Sequence, residues 1–140
     1  MGQDEKATLL GICPHFIVAE HRASVDYYRD KLGFIPIIEV PTDDPYFAVV
    51  KRDGATIALK EIASDVPPVP NCSRHEYARW DAFVDTANPD LLYEEYCAKG
   101  VTIHRPIADT EEGLRAFEIR EINGYVLCFG RSLVEADRHE

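Results

Sequence analysis

The same order of predicted elements occurs twice along this chain of 140 residues, and that repetition limits the possible folds more than any other feature. Each copy is predicted to run strand, helix, glycine, strand, strand, hairpin turn and strand. Matching landmarks lie 67 residues apart (33 to 100) and 70 residues apart (54 to 124), which indicates duplication of one unit. The sequence therefore predicts a single α+β domain made of two βαβββ modules. The landmarks are Gly33 and Gly100 after the helices, and Asp53-Gly54 and Asn123-Gly124 at the turns.

The first module is predicted to cover residues 8–62. Runs of β-branched and aromatic residues predict its strands, and apolar residues at helical spacing predict its helix. The Asp-Gly pair favours a type I′ hairpin turn, whose central residues need φ > 0, so Gly54 is expected in the left-handed region. The expected strands are Ile12–Ala19, Phe34–Val40, Tyr46–Lys51 and Thr56–Glu61, and the expected helix is Arg22–Leu32.

A proline-rich linker, residues 63–76, separates this module from the second, which is predicted to cover residues 77–132. Asn88 is expected to cap the second helix and Pro89 to be its first residue. Gly124 is expected at φ > 0, as Gly54 is. The two modules together, residues 8–132, are expected to form one domain. The expected elements are strands at Tyr77–Asp85, Val101–His104, Leu114–Arg120 and Tyr125–Phe129, and a helix at Leu91–Lys99.

Composition and charge narrow the possible functions. The formal net charge of −10 disfavours nucleic acid, whose phosphates are bound by Lys and Arg, and it permits a cationic ligand. No apolar run reaches the roughly 20 residues of a membrane span, and the polar, acidic start of the chain is unlike a signal peptide, so a cytoplasmic location is expected. The four cysteines form no C-x-x-C pair, which disfavours a zinc ribbon. A homodimer is expected, because each half leaves a sheet edge and an open groove that a second copy can complete.

Three segments resemble one known family. Residues 24–34, S-V-D-Y-Y-R-D-K-L-G-F, resemble the S-x-x-F-Y-x-x-x-L-G-F helix of the glyoxalase/bleomycin-resistance (vicinal oxygen chelate) superfamily. Residues 113–124 are similar to the G-M-R-E-F-x-x-x-D-P-D-G hairpin of its bleomycin-resistance-type members, although they depart from it at Ala116, Glu121 and Ile122. Residues 127–130 resemble the closing L-x-F-G strand. The resemblance implies a fold in which the sheets of two modules line a U-shaped cavity.

The resemblance also implies where a metal would lie in the enzymes of this superfamily. Their four ligand positions fall on Cys13, Ala58, Arg79 (or its neighbour) and Cys128. Ala58 has no donor atom and Arg79 is a permanent cation, so neither a metal nor another cofactor is expected. The resemblance further implies that Cys13 and Cys128 converge in the groove. Either one of the two thiols is then activated by the nearby guanidinium or, as the alternative, both thiols are inert and buried.

Strand alternation predicts which other side chains face the groove. Tyr46 and Phe47 are expected either in the core or as a stacking wall. Asp81 and Glu118 could approach each other across the groove, while Trp80 is expected in the core by register and Lys60 in solvent. No ordered nucleophile, base and acid are recognisable, so no catalytic residue is assigned. The candidate ligand-binding residues are Cys13, His15, Tyr46, Phe47, Arg79, Asp81, Phe83, Glu118 and Cys128.

The leading hypothesis for function is a non-catalytic binding protein that sequesters a cationic, partly aromatic small molecule, like the bleomycin-resistance proteins. The alternative is a metal-dependent lyase or isomerase, or a dioxygenase, with a remodelled site. A small-molecule sensor or a subunit of a biosynthetic pathway is the third hypothesis. The sequence leaves open whether the modules pair within one chain or between two chains, because the family does both.

Overall fold

The computed structural model describes residues 5–134. The N-terminal module consists of strand β1, helix α1 and strands β2 to β4. The C-terminal module consists of strand β5, helix α2 and strands β6 to β8. The bounds in chain order are β1 His15–Val18, α1 His21–Asp30, β2 Ile35–Val40, β3 Phe47–Arg52, β4 Ala55–Glu61, β5 Ala82–Asp85, α2 Pro89–Ala98, β6 Ile103–Asp109, β7 Leu114–Arg120 and β8 Val126–Ser132.

Each module forms its own sheet of four strands. The strand orders are β1-β4-β3-β2 (sheet A) and β5-β8-β7-β6 (sheet B), so the two halves have the same topology. In both sheets the first strand pairs in parallel with the last, and the remaining pairs are antiparallel. The predicted α+β fold of two βαβββ modules is therefore confirmed.

A single hydrophobic core joins the two modules. Each sheet turns one face toward the helices, and the residues of these inner faces form one cluster with residues of α1 and α2. Burial of this apolar surface is the main stabilising term of the fold. The other face of each sheet, its outer face, points away from the shared core. The largest fully buried side chains are those of Tyr28, Tyr96, Phe34, Phe117 and Phe129.

Each module also places its hairpin turn against the helix of the other module. In one contact the buried carboxylate of Glu121 accepts a hydrogen bond from the Tyr28 hydroxyl of α1, with 2.6 Å between the oxygens. In the other contact Arg52 forms a bidentate ion pair with Glu95 of α2, with N···O distances of 2.8 and 2.9 Å. These two contacts fix the relative orientation of the sheets.

The first strand of each module is shorter than predicted. β1 was expected from Ile12 and begins at His15; β5 was expected from Tyr77 and begins at Ala82. Residues 77–81 belong instead to the end of the linker, where the Ala78 N–H donates to the His75 carbonyl and closes a turn. Periodicity alone cannot detect such a turn.

In the second helix Pro89 lies in the first turn as predicted, and Asn88 is at the N-cap position without a side-chain capping bond.

The two hairpin turns differ in conformation, and the expectation for Gly54 is wrong. At the two-residue turn between β3 and β4 the left-handed residue is Asp53, at φ 51°, and Gly54 is not left-handed. The turn between β7 and β8 is longer, because the Glu121 N–H bonds to the Tyr125 carbonyl and the Gly124 N–H to the Glu121 carbonyl. Gly124 has φ 92°, as predicted. This is a turn followed by a left-handed glycine, one of the usual longer hairpin loops.

We therefore predict that alanine is costly at Gly124 and tolerated at Gly54. A Cβ at Gly124 would enter a left-handed backbone and lie 3.3 Å from Pro70 Cγ, whereas one at Gly54 meets no atom within 4 Å. Gly124→Ala should lower the free energy of unfolding by about 1–2 kcal/mol, and Gly54→Ala by much less. Urea denaturation of both variants measures the difference, and equal losses would contradict the two turn conformations.

A second prediction concerns the pH dependence of stability. Burial raises the pKa of Glu121 above its usual value, so the folded chain holds this proton more tightly than the unfolded chain does. The stabilisation by protonated Glu121 is therefore present below its ordinary pKa and is lost as the pH rises through the raised pKa of the folded state. Relative to Glu121→Gln, the parent should lose stability as the pH rises from about 4 to 7. Denaturation across this range measures the trend, and Glu94→Gln, an exposed change on α2, should leave it unaltered.

Candidate functional site

The outer face of sheet B carries a polar side chain among small ones. One row of register partners runs Phe83, Cys128, Glu118 and Arg105 across the four strands. The next row along runs Asp85, Gly130, Ala116 and Ala108. The small residues of the central strands β7 and β8 leave space above the sheet, and the larger residues border that space.

A cavity of about 480 Å³ lies on this face, which we call the groove cavity. Ala116 and Cys128 form its floor and are only 4% and 1% exposed. Trp80 forms a wall, and the loop between β6 and β7 forms the rim. The lining residues are Arg79, Trp80, Arg105, Pro106, Ala108, Asp109, Thr110, Glu111, Glu112, Ala116, Phe117, Glu118 and Cys128.

Glu118 is the buried charged group of the groove cavity. It is 3% exposed, and one of its carboxylate oxygens accepts hydrogen bonds from Arg79 Nη2 at 2.6 Å and Trp80 Nε1 at 2.8 Å. The other oxygen lies 4.0 Å from His104 Nε2. A buried carboxylate needs such partners, because removing it from water is costly unless it is paired and hydrogen-bonded. Glu118 therefore holds Arg79 and Trp80 in fixed positions at the cavity wall.

Arg79 connects this buried carboxylate to the rim. Its second terminal nitrogen bonds to Glu112 of the β6–β7 loop at 2.8 Å. The guanidinium carbon also lies 5.3 Å from the centre of the Trp80 ring, within cation–π range. Arg79 thus links the buried Glu118, the Trp80 wall and Glu112 at the rim.

Cys128 has an unreactive thiol. Burial, together with the nearby Glu118, raises its pKa to about 12, and Arg79 only partly opposes this rise. The raised pKa keeps the thiol protonated at neutral pH and disfavours an activated thiolate at Cys128. Cys13 is half-buried, precedes β1 and does not line the groove cavity. The expected convergence of the two cysteines is thus not found among the residues lining this cavity.

Trp80 does not lie in the core as expected. The expectation assumed strand alternation from Tyr77 onward, but β5 begins at Ala82 and residue 80 lies in the preceding segment. Both Arg79 and Trp80 therefore turn toward Glu118. The Trp80 ring also contacts the Phe83 ring, with 5.6 Å between their centres. Two rim residues, Glu111 and Glu112, were not identified from the sequence, and their place in an acidic stretch between two predicted strands was the signal available.

Asp81 and Phe83 do not line the groove cavity, unlike Glu118. Both oxygens of Asp81 accept hydrogen bonds from backbone N–H groups, those of Asn71 and Val126, at 2.8 Å each. Asp81 therefore fastens the linker to β8, and it does not face Glu118 across the groove. Phe83, 38% exposed, and Asp81 both line a second cavity of about 720 Å³ between the modules.

The remaining candidates lie on the N-terminal module. The outer face of sheet A has one row of partners His15, Ala58, Val49 and Ile38, and a second row Ile17, Lys60, Phe47 and Val40. The rings of His15 and Phe47 lie 6.0 Å apart. Tyr46 is 48% exposed and lines a shallow pocket with the exposed Lys60. None of Cys13, His15, Tyr46 and Phe47 lines the groove cavity of sheet B. Within one chain, the groove cavity therefore brings together three of the nine predicted residues, namely Arg79, Glu118 and Cys128.

The positions that carry the metal in enzymes of this fold do not suit one here. Ala58 has no donor atom, Arg79 is already bound to Glu118, and Cys128 holds its proton. Within residues 5–134, no group of three or more His, Cys, Asp or Glu side chains is arranged to hold a metal ion. The side chains of the groove thus offer hydrogen bonds, charge and an aromatic surface.

The comparisons with known proteins agree with this geometry. A model of the Glyoxalase/Bleomycin resistance protein/Dioxygenase superfamily matches residues 12–129. Among curated proteins no sequence matches this chain. Neither ten-residue helix of the described chain has the length and apolar character needed to cross a membrane.

Several solved structures share the fold at low sequence identity. TioX from Micromonospora sp. ML1 has a TM-score of 0.68 and 19% identity, and the match covers 87% of this chain and 98% of TioX. The bleomycin-binding protein of bleomycin-producing Streptomyces verticillus, complexed with copper(II)-bleomycin, has a TM-score of 0.66 and 21% identity, with coverage of 91% and 99%. A glyoxalase-related enzyme from Clostridium phytofermentans has a TM-score of 0.69 and 16% identity, with coverage of 92% and 99%.

Proposed function

Because this chain belongs to the glyoxalase/bleomycin resistance protein/dioxygenase superfamily, we propose that it is a non-catalytic protein that binds a cationic, partly aromatic small molecule in its groove cavity. Sequestration of a toxic compound in the cytoplasm would confer resistance by lowering its free concentration. The observation that carries the proposal is the lining of the cavity, which combines an acidic rim with an aromatic wall over a floor of small residues.

The charges of the lining favour a cation. Four carboxylates, those of Asp109, Glu111, Glu112 and Glu118, face two guanidiniums, those of Arg79 and Arg105. Arg79 is already held by Glu118 and Glu112. A positively charged ligand at the rim therefore meets an excess of carboxylate, and the net charge of −10 attracts it from a distance.

The aromatic wall favours a planar group on the same ligand. The Trp80 indole is fixed by its hydrogen bond to Glu118, so little conformational freedom is lost when a ring stacks on it. The similar fold of the bleomycin-binding protein, whose structure contains copper(II)-bleomycin, supports a ligand of this class. The protonated Cys128 and the missing metal donor at Ala58 support binding without catalysis.

The first test uses Trp80, the single tryptophan of the chain, as a reporter. Titration with metal-free bleomycin and with copper(II)-bleomycin should change Trp80 fluorescence in a saturable way, because the ligand displaces water from the indole. The double variant Glu111→Gln, Glu112→Gln should weaken binding by about threefold to thirtyfold through loss of two rim charges. Glu94→Gln removes a charge on the helix side of sheet B and should leave the affinity unchanged. No saturable change with either form of bleomycin, or equal weakening by the control, would count against the proposal.

We also propose that two chains form a homodimer in which sheet A of one protomer covers the groove cavity of the other. The outer face of sheet A exposes a band of apolar side chains, among them Ile38 at 47% and Val40 at 45%. Apolar bands of this kind mark interaction surfaces. In this arrangement His15 and Phe47 of the partner subunit would lie over the groove cavity. They would add to the candidate ligand contacts Arg79, Glu118 and Cys128 of the first chain.

The dimer has its own test. Ile38→Glu places a charge in the proposed interface and should convert a dimer into a monomer of 15.8 kDa in sedimentation equilibrium at micromolar concentration. Ile122→Glu is the matched control, because Ile122 is also 47% exposed but lies in the turn between β7 and β8. A parent protein that sediments only as a monomer would refute the dimer.

A further inference from the structure

The second cavity lies between the modules, on the core side of the sheets and apart from the groove. We call it the inter-module cavity. With a volume of about 720 Å³ it is larger than the groove cavity. It is bounded by the β3–β4 turn on one side and by β5 and α2 on the other. Its floor reaches the core residues Tyr96 and Phe129, and its walls include Ala55, Phe83 and Val84.

The pseudo-symmetric position on the other side of the molecule is filled. There the β7–β8 turn packs against β1 and α1, and the Tyr125 ring stacks on Phe16 with 4.3 Å between the ring centres. The Tyr125 hydroxyl donates to the Ile17 carbonyl at 2.5 Å. Tyr125 is 5% exposed, so its ring is buried in this gap between the modules.

Residue identity explains why the second gap stays open. Tyr125 follows the turn glycine Gly124, and the residue that follows Gly54 in the first module is Ala55. Phe16 pairs with Leu59 in the parallel β1–β4 ladder, and its counterpart in the β5–β8 ladder is Val84, which pairs with Phe129. Phe16, Leu59 and Tyr125 on one side therefore correspond to Val84, Phe129 and Ala55 on the other, which is one ring fewer and no stacked pair. A side-chain deficit of this size leaves a cavity unless the backbone collapses into it.

An ion pair spans this second gap between the β3–β4 turn and α2. Arg52, at the start of the short turn, is fixed by its bidentate pair with Glu95 and by a 2.9 Å bond to the Leu32 carbonyl. The remaining charged groups of the lining are the carboxylates of Asp53, Asp81 and Asp85. The lining thus combines apolar and aromatic residues with three carboxylates and the guanidinium of Arg52.

We propose that the inter-module cavity is a second binding site, for a small molecule with one aromatic ring and a positively charged substituent. The ring takes the place that Tyr125 has on the other side, between Val84, Ala55 and Phe129. The cation lies toward Asp53 at the mouth of the cavity. The site is independent of the proposed groove ligand, although the contact between Phe83 and Trp80 places one aromatic pair between the two cavities.

Three matched probes test the chemistry of this site. Tyramine supplies a phenol ring with a cation, 4-ethylphenol the ring without charge, and 4-hydroxyphenylacetate the ring with an anion. Amide chemical-shift titration of labelled full-length protein should show saturable shifts at residues 53–56 and 83–86, with affinity falling in that order. We expect roughly tenfold between the first and the last probe. Shifts confined to the groove residues 105–118, or the reverse order of affinity, would overturn the proposal.

Variants then separate the two cavities. Ala55→Tyr places in the inter-module cavity the ring that Tyr125 supplies opposite, and it should reduce tyramine binding by more than about tenfold while leaving bleomycin titrations unchanged. Ala108→Tyr, at the groove, is the reciprocal control and should leave tyramine binding unchanged. Should Ala55→Tyr fail to fold, Asp53→Asn tests the same site by removing the preference for tyramine over 4-ethylphenol. Tyramine binding that survives both Ala55→Tyr and Asp53→Asn would refute the site, whereas failure of bleomycin binding alone refutes only the groove proposal.

Discussion

The arrangement of this molecule depends on the reciprocal contact of each hairpin turn with the helix of the other module. Glu121 binds Tyr28, and Arg52 binds Glu95, so the hairpin turn of each module is bound to the helix of the other. Both contacts border the one core that the two helices and inner sheet faces share. With the inner faces committed to that core, both outer faces are left for ligands or for a second chain. The position of the groove is thus a consequence of how the core is closed.

Duplication gave the two outer faces the same geometry but different chemistry. Val49 pairs with Ala58 in sheet A as Glu118 pairs with Cys128 in sheet B. Both central positions, Ala58 and Cys128, are small and buried, so both sheets keep an open floor. Only sheet B adds a buried carboxylate, and that carboxylate requires the donors Arg79 and Trp80. Because Glu118 is a buried carboxylate, Arg79 and Trp80 at the end of the linker must donate hydrogen bonds to it.

The sequence predicts those parts of the fold that local patterns control. The repeat predicted the two modules, and strand alternation accounts for Phe117 and Ile119 in the core with Glu118 on the opposite face of β7. It failed at Trp80, whose direction depends on where β5 begins. That start is set by hydrogen bonds between distant segments, such as those of Asp81 with Asn71 and Val126, which no local period records. The candidate site was therefore predictable on β7 and β8 and not on the segment before β5.

The same distinction explains the two cavities. An Asp-Gly and an Asn-Gly pair look equivalent in the sequence, yet one closes a two-residue turn and the other a longer loop with a left-handed glycine. The longer loop brings Tyr125 and Glu121 into the gap between the modules. There Tyr125 stacks on Phe16, and Glu121 accepts a hydrogen bond from Tyr28. The shorter turn brings only Ala55, and Arg52 spans the remaining distance to Glu95. Because the aromatic side chains are on one side only, the duplicated fold is tightly packed at one junction and hollow at the other.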